Sequence, residues 1–151
     1  SWVKTHELYD PDGLIDAQFC IPYTAAMVMM GKTPGPEWYL EDNLTSKAVS
    51  QLSRKVKVEV DPELDKRYFE KDELSARVEI ITKKGDRLKQ FVNLPSGDPL
   101  NPLTVEDIER KFRSQASYVL DDDLIKQVIN LVSDFENLTN VKPLMTKLAG
   151  N

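Results

Sequence analysis

The sequence predicts an α+β fold in which a mainly antiparallel sheet of three to four strands is covered by helices. Short segments alternate apolar and polar residues, as half-buried strands do. Longer segments repeat apolar residues every three to four positions, as amphipathic helices do. The predicted order is β-α-α-β-β-β-α-α with a C-terminal helical hairpin. Strands that alternate on one face suit an open sheet with a single covered side.

In the first half of the chain, one strand is predicted before several helices. Residues 2–8 form the strand, which ends at the turn sequence D-P-D-G. Residues 16–30 form an apolar helix that begins or bends near Cys20, because Pro22 lacks the N–H that a helix interior requires. Gly31 is its expected C-cap. Two short helices follow, at residues 37–43 and around residues 47–54.

Three strands and a set of helices are predicted in the second half. The strands are residues 55–61, 75–82 and 87–94, and Gly85 supplies the turn of a hairpin between the last two. Thr104-x-x-Asp107 resembles a capping box that opens the next helix. Apolar periodicity then predicts helices at residues 124–138 and 142–148.

Composition and charge are those of one ordinary globular domain. The 151 residues are 40% hydrophobic and 30% charged, which is enough for a real core. The net charge of −5 argues against non-specific nucleic-acid binding, and no apolar run reaches the roughly 18–20 residues of a membrane span. We therefore expect neither nucleic acid nor a membrane as partner. The opening S-W-V-K without Met suggests a fragment of a longer protein, although tag removal also leaves a leading Ser.

Side chains able to bind metal or act as nucleophiles are few. Cys20 is the single cysteine and His6 the single histidine, so neither a zinc cluster nor an internal disulfide is expected. A lone thiol is typical of a reducing compartment, which predicts a cytoplasmic protein. Cys20 as a nucleophile beside His6 stays open, but a buried free cysteine is more often a small hydrophobic residue. The carboxylates of residues 121–123 suit a helix N-terminus better than a Mg²⁺ or Ca²⁺ site.

The stretch from Asp16 to Tyr23 concentrates polar groups at the entrance of an apolar helix. It carries a carboxylate, the amide of Gln18, the thiol of Cys20 and a phenol. A helix built only for a core does not need these groups, whereas one whose end faces a ligand does. The sequence by itself contains no complete acid–base pair and no cofactor motif.

This stretch, D-A-Q-F-C-I-P-Y, closely resembles the E-A-x-F-S-x-x-Y motif of the MmgE/PrpD family. The family includes 2-methylcitrate dehydratase, cis-aconitate decarboxylase and an iminodisuccinate epimerase. Further segments resemble it in order and spacing: V-K-V-E-V-D-P-E-L at residues 56–64, G-D-P-L-N-P-L-T at 97–104 with K-F-R at 111–113, and F-E-N-L at 135–138.

The resemblance implies that residues 1–151 are the C-terminal lid domain of a two-domain, cofactor-independent lyase or isomerase. Its substrate is then a small polycarboxylate, and its acid–base His, Lys and Asp residues lie mainly in an N-terminal helical domain outside this chain. The full-length protein is expected to be a homodimer, and the fragment alone to be inactive. Residues 104–151 are expected to pack on the missing domain. The alternative is a non-enzymatic interaction or dimerisation module.

Tyr23 matches the family's tyrosine, so the resemblance assigns it a catalytic role as a substrate-orienting residue or proton donor in the cleft between the domains. Gln18 and Cys20 are the candidate substrate-binding residues, although Gln18 also suits a capping or solvated amide. Two positions depart from the family pattern. Asp16 replaces the usual Glu, and Cys20 replaces the usual Ser with a weaker hydrogen-bond donor.

Overall fold

The computed structural model describes residues 9–149, so the predicted strand at residues 2–8 and His6 lie outside the described residues. The described chain mixes helices with an antiparallel hairpin, which confirms the predicted α+β class. It divides into two compact units, Ser1–Pro102 and Leu103–Asn151. Within residues 9–149, no helix is both long and apolar enough to cross a bilayer.

Five short helices and a hairpin make up the described part of the first unit. A 3₁₀ turn, Pro36–Tyr39, lies between the second and third helices. The elements are α1 (Leu14–Gln18), α2 (Ile21–Met29), α3 (Glu41–Leu44), α4 (Lys47–Ser53), α5 (Pro62–Lys71), β1 (Ala76–Ile81) and β2 (Arg87–Val92).

The predicted helix at residues 16–30 is present but broken near Cys20, as Pro22 requires. Cys20 is extended and caps α2, with Pro22 inside the first turn. At the other end, Gly31 adopts a φ of 74°. The Gly31 N–H donates to the Val28 carbonyl at 2.9 Å and the Lys32 N–H to the Met27 carbonyl at 3.1 Å. This pair of bonds is a Schellman motif, which confirms the predicted glycine stop.

The core of the first unit lies where α2 packs against α4 and the 3₁₀ turn. Ser53 is also fully buried, and its hydroxyl donates to the Val49 carbonyl at 3.0 Å. The remaining buried residues are mostly apolar or aromatic: Ala17, Cys20, Tyr23, Ala26, Met27, Trp38 and Val49.

The predicted hairpin is confirmed, whereas the predicted strand at residues 55–61 is wrong. β1 and β2 pair antiparallel, with Val78 opposite Gln90. Among residues 9–149, the segment 55–61 has no ladder partner, and the described sheet has two strands rather than three or four. Asp61 instead caps α5, because its Oδ1 accepts the Glu63 N–H at 3.0 Å. The alternating pattern of this segment identified Val56 and Val58, which are half-buried. It did not show that another strand pairs with the segment.

Helix α5 is linked to one face of the hairpin by arginines. The guanidinium carbons of Arg67 and Arg77 lie 5.4 Å and 6.0 Å from the centre of the Phe91 ring. Arg77 also pairs with Asp61 at 2.6 Å and with Glu63 at 3.0 Å. The opposite face carries exposed aliphatic side chains: Val78, Ile80, Leu88 and Val92.

The second unit contains α6 (Val105–Ala116), α7 (Asp122–Ser133), a 3₁₀ turn (Phe135–Asn137) and α8 (Lys142–Leu148). The predicted capping box is confirmed, since the Asp107 N–H donates to Thr104 Oγ1 and the Thr104 N–H to Asp107 Oδ2, both at 3.1 Å. The pKa of the Asp107 carboxyl is lowered from its usual value, chiefly by its hydrogen bond with the Thr104 hydroxyl. Asp121 caps α7 by accepting the Leu124 N–H at 2.8 Å.

Helices α6 and α7 enclose a small core at one end and an open groove. The core consists of Ala116, Leu120, Ile125 and Ile129. The groove has a volume of about 220 Å³ and is almost wholly apolar, with Glu109 and Ser133 as its polar members. Ile108 and Val132, which line it, are 56% and 55% exposed. The apolar stripes of these helices therefore extend beyond what the unit itself covers.

Candidate functional site

Tyr23 lies on the buried face of α2, in the first turn of the helix. Its side chain is 1% exposed, and its hydroxyl donates to the backbone carbonyl of Trp38 in the 3₁₀ turn. This bond joins residues fifteen positions apart and fixes the phenol against the turn. In this conformation the hydroxyl proton is already shared with a protein acceptor, so contact with a substrate requires that bond to be exchanged.

The pKa of the Tyr23 phenol is raised above its usual value of 10.0, chiefly because burial disfavours the phenolate. The neighbouring Tyr39 and Cys20 raise it further. At neutral pH the phenol is therefore protonated and can donate a hydrogen bond or a proton. It is not a general base at this pH.

Cys20 lies beside Tyr23, and its thiol binds the backbone N–H of Tyr23. Its Sγ accepts the Tyr23 N–H at 3.3 Å, so the thiol occupies the N-cap position of α2. Burial is the largest cause that raises the pKa of this thiol above 9.0. A protonated, 1% exposed thiol is a poor nucleophile. The geometry therefore gives Cys20, which stands where the family motif has Ser, the function of a helix cap.

Gln18 and Asp16 lie on α1 rather than beside the Tyr23 hydroxyl. Gln18 is the last residue of α1 and is exposed. Asp16 lies in the first turn of α1, where a carboxylate interacts favourably with the helix dipole. The structure therefore brings Cys20 and Tyr23 together but leaves the Gln18 amide in solvent. Its substrate-binding role stays a prediction.

Trp38 is the residue of this region that sequence reasoning did not single out as functional. The aromatic segment at residues 37–43 was predicted only as a short helix. In the structure the Trp38 carbonyl accepts the Tyr23 hydroxyl, and its indole Nε1 is buried without an acceptor among residues 9–149. The sequence signal was the Trp38-Tyr39 pair one residue after T-P-G-P, a sequence that favours a tight turn at this point.

The remaining candidate groups have structural roles. The carboxylate of Asp121 is used to cap α7, while Asp122 and Asp123 lie in its first turn. Among the described residues, no three His, Cys, Asp or Glu side chains gather in a way that suits a metal ion. The candidate site is therefore the Tyr23 cluster, defined here as Cys20, Tyr23 and Trp38.

Comparison with known families identifies the class of domain to which this chain belongs. The model of the MmgE/PrpD C-terminal domain matches residues 3–136. The chain belongs to the MmgE/PrpD family and carries its C-terminal domain.

Curated relatives point to lyase-type members of the family. The chain is 28% identical to the cis-aconitate decarboxylase of Mus musculus over 141 residues, which is 93% of this chain and 28% of that enzyme. The human cis-aconitate decarboxylase is 28% identical over 136 residues, 89% of this chain and 27% of the enzyme. The Aspergillus terreus cis-aconitate decarboxylase is 33% identical over 109 residues, 72% of this chain and 21% of the enzyme. The chain thus spans between about a fifth and just over a quarter of the length of these relatives.

Proposed function

We propose that this chain is the C-terminal lid of a cofactor-independent lyase or isomerase that acts on a small polycarboxylate such as cis-aconitate or 2-methylcitrate. The observation that carries the proposal is the match to the MmgE/PrpD C-terminal domain over residues 3–136. The names of the relatives favour loss of CO₂. All three reactions develop negative charge at a carbon next to a carboxylate: dehydration and epimerisation do so by proton abstraction, and decarboxylation by breaking the bond to CO₂.

Tyr23 is proposed as the lid's catalytic residue. A phenol whose pKa is raised by burial keeps its proton at neutral pH, so it can donate to a substrate carboxylate or to the carbon that is being protonated. Cys20 is proposed to support this role by capping α2 directly before Tyr23. Gln18, at the exposed end of α1, is the proposed second contact to a carboxylate.

The missing acid and base groups are proposed to come from an N-terminal helical domain, so residues 1–151 alone should be inactive. We propose that the full-length protein is a homodimer. A cytoplasmic location is supported by the chain's single cysteine, Cys20, which is buried and forms no disulfide. Residues 104–151 are proposed to pack on the helical domain, because their apolar groove is left open within their own unit.

A panel of di- and tricarboxylates, assayed with the full-length protein and with residues 1–151 alone, tests the proposal. We expect the full-length protein to consume at least one tricarboxylate and the isolated chain to consume none. Turnover of 2-methylcitrate or cis-aconitate by the isolated chain would overturn the assignment of the acid–base groups to the other domain. No turnover of any panel member by the full-length protein would overturn the enzyme proposal.

The second candidate function is a non-enzymatic interaction module, which the apolar groove between α6 and α7 favours. Large exposed apolar surfaces mark interfaces, and this one is available without any catalytic site. The two functions differ in what stands upstream of Trp2 in the gene. A helical domain bearing His and Lys residues favours the enzyme, and a natural start near Trp2 favours the module.

A further inference from the structure

The indole N–H of Trp38 is a buried donor that no described residue satisfies. The side chain is 5% exposed, and Nε1 has no acceptor among residues 9–149. Buried tryptophan N–H groups normally find a partner, because the loss of water is otherwise uncompensated. An unpaired buried donor therefore calls for an acceptor that the described chain does not supply.

The place of this donor in the fold relates it to Tyr23. The hydroxyl of Tyr23 donates to the carbonyl of Trp38 itself, and both side chains belong to the same buried cluster. The short turn Pro36–Tyr39 thus accepts a hydrogen bond from one buried donor, the Tyr23 phenol, and carries a second, the Trp38 indole. Neither residue contributes a charged group, so the pair is suited to an anionic acceptor that brings its own charge.

We propose that Trp38 is a substrate-binding residue whose indole N–H, together with the Tyr23 hydroxyl, holds one carboxylate group of the substrate. This inference rests on the proposed function and extends it to a residue outside the family motif. An ionised carboxylate only accepts hydrogen bonds and an indole N–H only donates them. The match is therefore complete without any change of protonation.

Hydrogen-bond accounting favours the exchange that substrate binding requires. The turn is held by the Tyr23 hydroxyl and by Asn43, whose Nδ2 donates to the Glu37 carbonyl at 2.6 Å. When a carboxylate enters, the Tyr23 hydroxyl transfers its hydrogen bond from the Trp38 carbonyl to the carboxylate, and the indole N–H gains its first acceptor. The Trp38 carbonyl then accepts a hydrogen bond from water instead. The bound state then satisfies one donor more than the free state.

The test measures tricarballylate binding by the full-length protein, since this saturated tricarboxylate offers the carboxylates without a reacting double bond. Two variants, Trp38→Phe and Trp38→Leu, both remove the indole N–H. They differ in the volume of the side chain that remains. Calorimetry should give a dissociation constant about tenfold weaker in both variants, the scale expected for one hydrogen bond to a charged group. Tyr68→Phe, which alters an exposed tyrosine on α5, is the control and should bind as the wild type does.

Urea unfolding of the same variants without ligand separates binding from packing. If Trp38 only fills the core, affinity losses should rank with stability losses, small for Phe and larger for Leu, and that ranking would overturn the proposal. An unchanged dissociation constant in Trp38→Phe would do so as well, while leaving the proposed function intact. No binding of tricarballylate by the wild type would overturn both proposals.

Discussion

The Tyr23 cluster of the first unit and the α6–α7 pair of the second are incomplete in opposite ways. In the first, polar atoms lie inside: a thiol, a phenol and an indole N–H are buried, and the last has no described acceptor. In the second, apolar side chains lie outside, along a groove of about 220 Å³. In both regions the usual placement is reversed, since polar groups normally lie at the surface and apolar groups in the interior.

The difference indicates what each region lacks. A buried donor without an acceptor fits a small polar ligand, whereas an open apolar groove fits a protein surface. The first region is accordingly where we propose chemistry, and the second where we propose contact with the rest of the polypeptide.

The largest expected effect is on turnover and tests the chemical side of the comparison. Tyr23→Phe keeps the buried ring and removes only the hydroxyl, so kcat of the full-length protein should fall about a hundredfold or more, as for the loss of a general acid. Steady-state kinetics on cis-aconitate measures it, with Tyr68→Phe as control. Undiminished kcat would remove Tyr23 from the mechanism.

The next effect concerns stability within one helix of the first unit. Met27 is fully buried and Met29 is half exposed, although both lie on α2. Met27→Ala should lower the free energy of unfolding by about 2–5 kcal/mol, and Met29→Ala by less than about 0.5 kcal/mol. Urea denaturation of residues 1–151 measures both. Equal losses would show that the buried face of α2 does not form the core of this unit.

A charge placed in the groove tests whether another surface covers it. Val132→Asp should change the stability of residues 1–151 by less than about 0.5 kcal/mol, since the site is exposed. In the full-length protein the same change should cost about 2 kcal/mol or more, because the carboxylate is then buried unpaired. Equal effects in the two proteins would mean that the groove stays open.

The helix cap at Cys20 gives a smaller effect. Cys20→Ala removes the acceptor of the Tyr23 N–H and should cost about 1 kcal/mol, while Cys20→Ser should retain the cap. Thermal unfolding of the pair measures the difference. If serine is as destabilising as alanine, the thiol contributes through packing rather than capping.

The smallest effect is at alkaline pH. The folded-state pKa values of both Cys20 and Tyr23 are raised above 9.0 and 10.0, so the folded state holds these protons more tightly than the unfolded state does. Their contribution to stability is complete below pH 9 and is lost as pH rises through the folded-state values. Urea midpoints between pH 8 and 11 should fall less steeply in Cys20→Ser. If the urea midpoint falls equally steeply with pH in the wild type and in Cys20→Ser, the raised pKa of the Cys20 thiol does not contribute to stability.

Local signals in the sequence were enough to predict much of the fold. The break at Cys20, the stop at Gly31, the capping box at Thr104 and the hairpin around Gly85 each depend on neighbouring residues and are confirmed. The strand at residues 55–61 was wrong because alternation reports half-burial, and half-burial does not require a ladder partner.

The site was less predictable than the fold. The motif located Cys20 and Tyr23, but the contact between the Tyr23 hydroxyl and the Trp38 carbonyl spans fifteen positions and depends on how the 3₁₀ turn packs on α2. No periodicity encodes such a contact. That the Trp38 indole N–H is buried without a described acceptor can likewise be seen only from the atomic structure.

The most direct test of the central claim is proton transfer next to a carboxylate by the full-length protein. In D₂O with cis-aconitate, the account predicts loss of CO₂ and uptake of one solvent deuteron by the carbon that retains the electron pair, followed by NMR. It further predicts a large reduction in Tyr23→Phe and no product with residues 1–151 alone. Deuterated product at wild-type rate from Tyr23→Phe, or from the isolated chain, would contradict it.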